Sequence, residues 1–295
     1  MKSSPYKKSR FEVHIAVLLF GITGLFGKFI DLNPFVIVFG RVFTGALFML
    51  TWLLFSKEPL RINNRADYKK LIMMGILLSL HWTTFFASIQ LSNVATGVLT
   101  FSAFPVFVSL LQPLIFHKKI AKKEVLFGLM TLIGVLFIVP FKDLFGNTMA
   151  GSIVGLCSGV LYAVFTIFNE QLVKTYSGKK VAFYEQSTAT VFLLPSLFII
   201  KPVVTAGDIT LLILLGTLFT GVAHTLFING LKQVSAYMAS IITMLEPLYS
   251  IILAYLLLGE VLTANTAVGG VIILSTVVLV SLDNLKQNEV RRESQ

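Results

Sequence analysis

Ten apolar runs follow one another along the chain, and they constrain its fold more strongly than any short motif. A helix that spans a bilayer needs about 20 mainly apolar residues, whereas a spanning strand needs about 10 residues of alternating pattern. Only 13% of the residues are charged, against about 25% in typical soluble domains. The sequence therefore predicts an all-α integral membrane protein with ten transmembrane helices. The predicted spans are 12–30, 34–55, 70–90, 94–116, 124–140, 149–172, 181–200, 209–229, 236–258 and 264–283.

The basic residues predict the orientation of these spans. If the N-terminus lies in the cytoplasm, the cytoplasmic segments hold 20 Lys and Arg residues, and the outer segments hold three: Lys28, Lys142 and Lys201. Short cytoplasmic loops of membrane proteins are enriched in Lys and Arg. We therefore expect a protein of the cell (inner) membrane with both termini in the cytoplasm. The net charge of +10 is then explained by basic residues in the short cytoplasmic loops, and no nucleic-acid partner is expected.

An internal repeat predicts how the spans are arranged. The stretch PVFVSLLQPLIFHKKIAKKE from Pro105 aligns without a gap with PLYSIILAYLLLGEVLTANT from Pro247. Two copies of a five-helix unit enter the membrane from opposite sides, and the matching loops agree: HKKIAKKE has four lysines and GEVLTANT has none. We therefore expect two inverted five-helix repeats, at 11–140 and 149–283, and a cytoplasmic tail at 284–295. Such repeats build transporters whose substrate site lies near the midplane.

The segments ATGVLTFSAFPVF and ASIITMLEPLYSIILAYLLLGE, together with Arg41 after NPFVIVFG, resemble the EamA family of the drug/metabolite transporter superfamily. The resemblance covers about residues 11–283. It implies a ten-helix inner-membrane carrier, and most such carriers export amino acids, metabolites or drugs. One departure is visible, because the family's first copy often reads Leu-Gly-Glu after span 4. Here Lys118 stands where Glu260 stands in the second copy.

Glu246 is the first candidate for the substrate site. It lies about 15 Å into span 9, near the midplane, where a charge is costly and faces protein or water. Pro247 beside it removes a backbone donor and bends the helix, and Pro105 marks the matching position in span 4. We interpret Glu246 as a ligand for a cationic group or as a proton carrier, and the two prolines as hinges. A purely structural carboxylate is the alternative.

His81, Trp82 and Arg41 are further candidates for substrate binding. His81 lies at mid-span and could relay protons or accept a hydrogen bond, although packed histidines are equally common. Trp82 would give a flat wall for a ring-bearing substrate, or it packs in the core. Arg41 is a fixed positive charge suited to a carboxylate. Its alternatives are a structural ion pair and extension to the outer headgroups.

The second half of the chain adds two more candidates, Tyr162 in span 6 and His224 in span 8. Glu170 and Glu185 lie close to the ends of their spans, which favours solvated or gate-forming roles over substrate contact. Asn169 and Gln186 are their polar neighbours.

Small residues and the absence of motifs complete the sequence evidence. Gly151, Gly155 and Gly159 form a GxxxGxxxG ridge, which is typical of close helix packing. The single cysteine, Cys157, is interpreted as a packed residue. No metal-ligand cluster, P-loop or nucleophile elbow occurs in the sequence, so we expect no metal, no cofactor and no enzyme activity.

These features favour a secondary transporter that moves a small organic solute by alternating access, with a proton as the simplest coupling ion. Export is the leading hypothesis, and import or exchange is the alternative. An intramembrane enzyme or a channel is the alternative from another class. Neither a recognisable set of catalytic residues nor a repeated filter sequence supports it.

Overall fold

The computed structural model describes residues 5–62, 64–117, 122–138 and 145–293, and every regular element in these residues is a helix. We number the helical segments α1 to α10 in chain order. They comprise α1 (Pro5–Thr23 and Phe26–Phe29), α2 (Pro34–Phe55), α3 (Arg65–Leu91), α4 (Val94–Phe101 and Phe104–Ile115), α5 (Lys122–Ile138), α6 (Asn147–Leu172), α7 (Gly178–Ile200), α8 (Ala206–Gly216, a π-helical turn Thr217–Val222, and Ala223–Gly230), α9 (Ala236–Thr243 and Leu245–Leu258) and α10 (Ala264–Glu293).

Eight of these segments are long and apolar enough to cross a membrane, whereas ten spans were expected. The other two predicted spans, 124–140 and 264–283, correspond to shorter apolar helices in the described residues, Val125–Ile138 and Ala264–Leu279. Residues 139 and 140, Lys118 and Lys142 lie outside the described residues.

The helices form a bundle with two ends, which we name by their loops. The N-terminal face carries the start of α1 and the loops at 56–64, 173–177 and 231–235. The opposite face carries the loops at 30–33, 92–93, 201–205 and 259–263. Inside the bundle, α3 packs on α6 and α7, α1 on α8 and α9, α2 on α7 and α8, α4 on α6 and α9, and α5 on α10.

Both α4 and α9 are interrupted near the middle. The backbone of α4 turns at Ser102 and Ala103, and the helix restarts at Phe104. The backbone of α9 turns at Met244 and restarts at Leu245. Pro105 and Pro247 therefore lie in the first turn of a new helix, where a missing N–H breaks no helical hydrogen bond.

The first amides of α4 and α9 are held by glutamates from other segments. Glu260 of the opposite face accepts a hydrogen bond from Val94 N at 3.0 Å. Glu170 at the end of α6 accepts one from Ala236 N at 3.0 Å. In each helix a side-chain cap lies one residue earlier, from Asn93 to Thr96 N and from Ser235 to Met238 N.

The glycine ridge of α6 lies against α3 and α4. A Cβ on Gly155 would lie 2.0 Å from Thr100 Oγ1, and one on Gly151 would lie 3.0 Å from the Ser88 carbonyl oxygen. Gly159 faces the Phe101 carbonyl oxygen. The backbone of α6 therefore approaches its neighbours more closely than any side chain would allow.

Cys157, on the same helix, is exposed on the outer surface of the bundle. Its interpretation as a packed residue is therefore wrong, because it lies on the face of α6 that points away from α3 and α4.

The loops of the N-terminal face are joined by polar contacts. Tyr176 donates a hydrogen bond to Asp67 at 2.8 Å, and Ser177 donates one to Glu58. Tyr184 donates to the Leu60 carbonyl oxygen at 3.0 Å. These contacts tie the loop between α2 and α3 to the start of α7.

Candidate functional site

A small cavity lies in the interior of the bundle and is lined by side chains from seven segments. Its free volume is about 30 Å³, which is room for about one or two water molecules. All six residues predicted to bind substrate line it. The lining comprises Phe20 and Thr23 of α1, Arg41 of α2, His81, Trp82 and Phe85 of α3, Phe101 of α4, Tyr162 of α6, His224 of α8 and Glu246 of α9.

Arg41 is almost fully buried, at 1% exposure, and it does not extend to the headgroups. Its guanidinium carbon lies 3.7 Å from the centroid of the Trp82 ring, so the two side chains form a cation–π contact. Arg41 Nε donates a hydrogen bond to Thr220 Oγ1 at 2.9 Å, while Nη1 is buried without a partner among the described residues. Arg41 therefore keeps an unused donor at the cavity.

The backbone of α8 forms the surroundings of this contact. Thr220 lies in the π-helical turn Thr217–Val222, and its hydroxyl donates to the Leu215 carbonyl oxygen at 2.8 Å. That leaves its lone pairs free for Arg41. Single π-helical turns are frequent at functional sites. No pattern in the sequence predicts this turn.

Glu246 is 5% exposed and is the second residue of the restarted helix in α9. The free amides at a helix N-terminus favour a negative charge there. Glu246 lines the same cavity as Arg41, within electrostatic range of it. The cavity wall thus carries one fixed positive charge and one carboxylate.

His81 is held by α6. Its Nδ1 lies 2.8 Å from Ser158 Oγ and 3.2 Å from the Ser158 carbonyl oxygen. Ser158 Oγ donates its own hydrogen to the His81 carbonyl oxygen at 3.0 Å. Nδ1 must therefore be the donor, an assignment made from the hydrogen-bond network. Nε2 is left as the nitrogen that can accept a hydrogen bond or a proton.

Aromatic rings form most of the remaining wall. The Tyr162 ring centroid lies 4.6 Å from that of His81 and 5.4 Å from that of Phe101. Phe85 packs edge-on against Phe101 at 5.4 Å. Sequence reasoning missed these phenylalanines, because the chain has 26 of them and most lie in apolar runs. Their spacing does not tell a cavity wall from a packed core.

His224 joins the cavity to a second group of polar side chains. Its ring packs edge-on against Trp82, with centroids 5.4 Å apart, and its Nε2 lies 3.0 Å from Glu185 Oε2. Glu185 is 0% exposed. The solvated role predicted for Glu185 is therefore wrong, because depth along a helix does not reveal which face a residue occupies, and this one points inward. Its gate-forming role stays a prediction.

Asn169 and Gln186 are fully buried near this pair. Their side-chain nitrogen and oxygen atoms, and Glu185 Oε1, lack hydrogen-bond partners in the part of the chain that the structure describes. Among the same residues, no group of three or more His, Cys, Asp and Glu side chains could hold a metal ion.

The fold and this cavity define a multi-span helical membrane protein with a polar, aromatic-lined centre. The chain belongs to the EamA-like transporter family, whose model matches residues 12–139 and 149–282. The family membership predicted from the sequence is confirmed.

Curated relatives of the chain are described as transporters. An uncharacterized transporter of Archaeoglobus fulgidus is 28% identical over 266 residues, covering 90% of this chain and 93% of the relative. The uncharacterized inner membrane transporter YicL of Salmonella typhimurium is 25% identical, covering 95% and 97%. A crystal structure that is 16% identical matches the fold with a TM-score of 0.66, covering 94% of this chain and 98% of the other.

Proposed function

We propose that the protein is a secondary transporter that moves a small zwitterionic solute with a flat apolar part across the cell membrane. The observation that carries this proposal is the pair of opposite charges, Arg41 and Glu246, on the wall of one aromatic-lined cavity. Arg41 would bind a carboxylate through its unused Nη1, and Glu246 would bind an ammonium group. The rings of Trp82 and Tyr162 would enclose the apolar part.

Alternating access by two inverted repeats is the mechanism that we propose. The alignment that pairs Pro105 with Pro247 also pairs Val94 with Ala236, and these residues begin α4 and α9. Helix contacts support the same pairing, since α3 meets α6 as α8 meets α1, and α4 meets α6 as α9 meets α1. The breaks at Pro105 and Pro247 are the hinges about which the cavity opens to either face.

Export is the direction that we favour, with import or exchange as the alternative. The bilayer and the small solute are the partners of this function. A carrier moves its solute in whichever direction the gradients of the solute and of the coupled ion drive it. The direction of transport therefore depends on which ion is coupled and on its gradient. A proton is the coupling ion that the buried histidines and glutamates suit best.

Thermal stabilisation by three probes tests the charge assignment. L-phenylalanine carries both charges, phenethylamine carries the cation alone, and 3-phenylpropionate carries the anion alone. A ligand that binds the folded state raises the melting temperature. We expect L-phenylalanine to stabilise the wild type most. Glu246→Gln should weaken phenethylamine binding by about tenfold or more, and Arg41→Gln should weaken 3-phenylpropionate binding similarly, since a hydrogen bond to a charged group contributes about 1.5 to 3 kcal/mol.

Glu12→Gln is the matched control, because Glu12 pairs with Lys8 near the start of α1 and does not line the cavity. It should respond to all three probes as the wild type does. If both cavity variants also keep wild-type responses, or if the wild type responds to none of the probes, the proposed substrate class is wrong.

A further inference from the structure

A second polar site lies between the cavity and the N-terminal face. It consists of Glu185 on α7, His224 on α8 and Asn169 on α6, with exposures of 0%, 1% and 0%. Glu185 lies about 10 Å along α7 from its start at Gly178, at 1.5 Å per residue. The site is therefore inside the bilayer-spanning part of the bundle, deeper than the loops that cover it.

The carboxylate of this site has two polar neighbours. Glu185 Oε2 lies 3.0 Å from His224 Nε2. The Asn169 side chain is a further hydrogen-bonding neighbour of the same carboxylate, although its atoms do not reach full hydrogen-bond geometry among the described residues. The carboxylate is therefore held between α6 and α8, away from solvent.

The charges around the site favour a single titrating unit. With a neutral imidazole the pair carries one negative charge, and with one added proton it is neutral, as imidazolium and carboxylate or as imidazole and carboxylic acid. The charged or titratable groups that face it are Arg41 on α2, His81 on α3, Tyr162 on α6 and Glu246 on α9. Arg41 contacts Trp82 and Thr220, so its charge is directed to the cavity.

Trp82 connects this site to the proposed substrate. Arg41 stacks on one part of the indole at 3.7 Å, and the His224 ring packs edge-on against it at 5.4 Å. A solute whose apolar part lies against Trp82 would contact the same indole ring that packs on His224. Trp82 is thereby the contact through which occupancy of the cavity and protonation of the pair would be linked.

We infer that Glu185 and His224, with Asn169 beside them, form the proton-binding site that couples transport to a proton gradient. Glu246 and His81 do not carry this proton. The pair takes up one proton from one face and releases it to the other when the bundle changes conformation. This inference rests on the proposed transport function.

Trp82 provides a readout of the site that needs no substrate. The chain has two tryptophans, and Trp52→Phe leaves Trp82 as the only fluorophore of this kind. A protonated imidazole quenches a neighbouring indole, so Trp82 emission in lipid nanodiscs should titrate with pH. We expect this titration to be lost in His224→Gln and kept in His81→Gln. Glu185→Gln should change its midpoint, because the carboxylate that lies against the imidazole is gone.

The outcomes separate this inference from the proposed function. If the titration persists in His224→Gln, or if Glu185→Gln leaves the midpoint unchanged, the proton site is wrong even when the zwitterionic probe binds. If the titration behaves as expected but no probe binds, the substrate class fails and the proton site stands.

Proteoliposomes loaded with a pH-sensitive dye test the coupling itself. L-phenylalanine should drive a proton flux in the wild type, and this flux should be at least tenfold smaller in Glu185→Gln. Solute flux without any proton flux would overturn the coupling.

Discussion

Glu246 and Pro247 occupy the second and third residues of a helix that restarts inside the membrane. This position explains why an apolar span accepts both. The proline lacks an N–H where no helical acceptor exists, and the carboxylate meets free amides and a favourable dipole. In the sequence alignment of the two predicted repeats, Phe104 stands at the matching position, so an ionisable residue occurs there only in the second half.

Gly155 shows how strongly a single residue constrains the packing of α6. We predict that Gly155→Ala lowers the stability of the protein by about 1 to 3 kcal/mol, as overpacking of a tight contact does. Its new methyl group would meet Thr100 Oγ1 at 2.0 Å. The measurement is the apparent melting temperature in detergent.

Gly207→Ala is the control for this prediction. The nearest side-chain atom to its new Cβ would be Thr205 Oγ1 at 3.6 Å, and alanine favours helix over glycine. It should leave the melting temperature unchanged or raise it. Equal melting temperatures for the two variants would contradict the packing assigned to the ridge.

The candidate site was largely predictable at the level of polar residues. An ionisable or amphipathic side chain in an apolar run must face protein or water, and the six residues chosen by this rule are among the ten that line the cavity. The solvated role of Glu185 and the packed role of Cys157 were wrong, because hydropathy reports depth in the membrane and not the face of the helix. The phenylalanines of the wall carry no distinguishing pattern, and the π-helical turn around Thr220 depends on contacts between α2 and α8.

At the scale of the element, α4 and α9 are fastened in the same way at opposite ends of the bundle. Each has a side-chain cap, and each donates its first amide to a glutamate from another segment, Glu260 or Glu170. In the sequence alignment of the predicted repeats, Lys118 stands where Glu260 stands, so the first half has no glutamate at this position. We call these two contacts, Glu260 to Val94 N and Glu170 to Ala236 N, the latches of the opposite face and of the N-terminal face.

We predict that Glu260→Ala opens the opposite face. In a Cys157→Ser, Thr23→Cys background, the cavity thiol should react with an impermeant maleimide added outside the cell about tenfold faster, since a charge-assisted hydrogen bond contributes about 1.5 kcal/mol or more. Thr23 lines the cavity. The labelling rate in whole cells is the measurement.

Glu170→Ala is the counterpart, and in inverted vesicles it should raise labelling from the N-terminal face. Glu12→Ala should change neither rate. Faster labelling of the Glu260→Ala protein from the N-terminal face alone would contradict the assignment of Glu260 as a latch of the opposite face.

At the scale of the whole molecule, hydropathy predicts the order of the helices and where each apolar run lies. It does not predict how far a helix continues beyond its apolar run. Helix α1 begins at Pro5 and α3 at Arg65, ahead of the predicted starts at 12 and 70. Polar and basic residues of these first turns extend a helix beyond its apolar run, because long side chains reach the headgroups.

The orientation of the molecule gives a further prediction. In a Cys157→Ser background, Lys57→Cys on the N-terminal face should react with an impermeant thiol reagent only after the cells are permeabilised. Lys201→Cys on the opposite face should react in intact cells, because the excess of Lys and Arg predicts that the N-terminal face lies in the cytoplasm. The reverse pattern would show that the molecule is inserted the other way round.

A cavity of about 30 Å³ cannot hold an amino acid, and this determines how solutes must be sought. Binding has to separate the rings of Tyr162, Phe101 and Trp82, and a protein that is seldom in the widened form binds more weakly by that fraction. Low apparent affinity is the consequence. Screens for solutes of this protein should therefore use high solute concentrations, and equilibrium dialysis at low concentration would pass over true substrates.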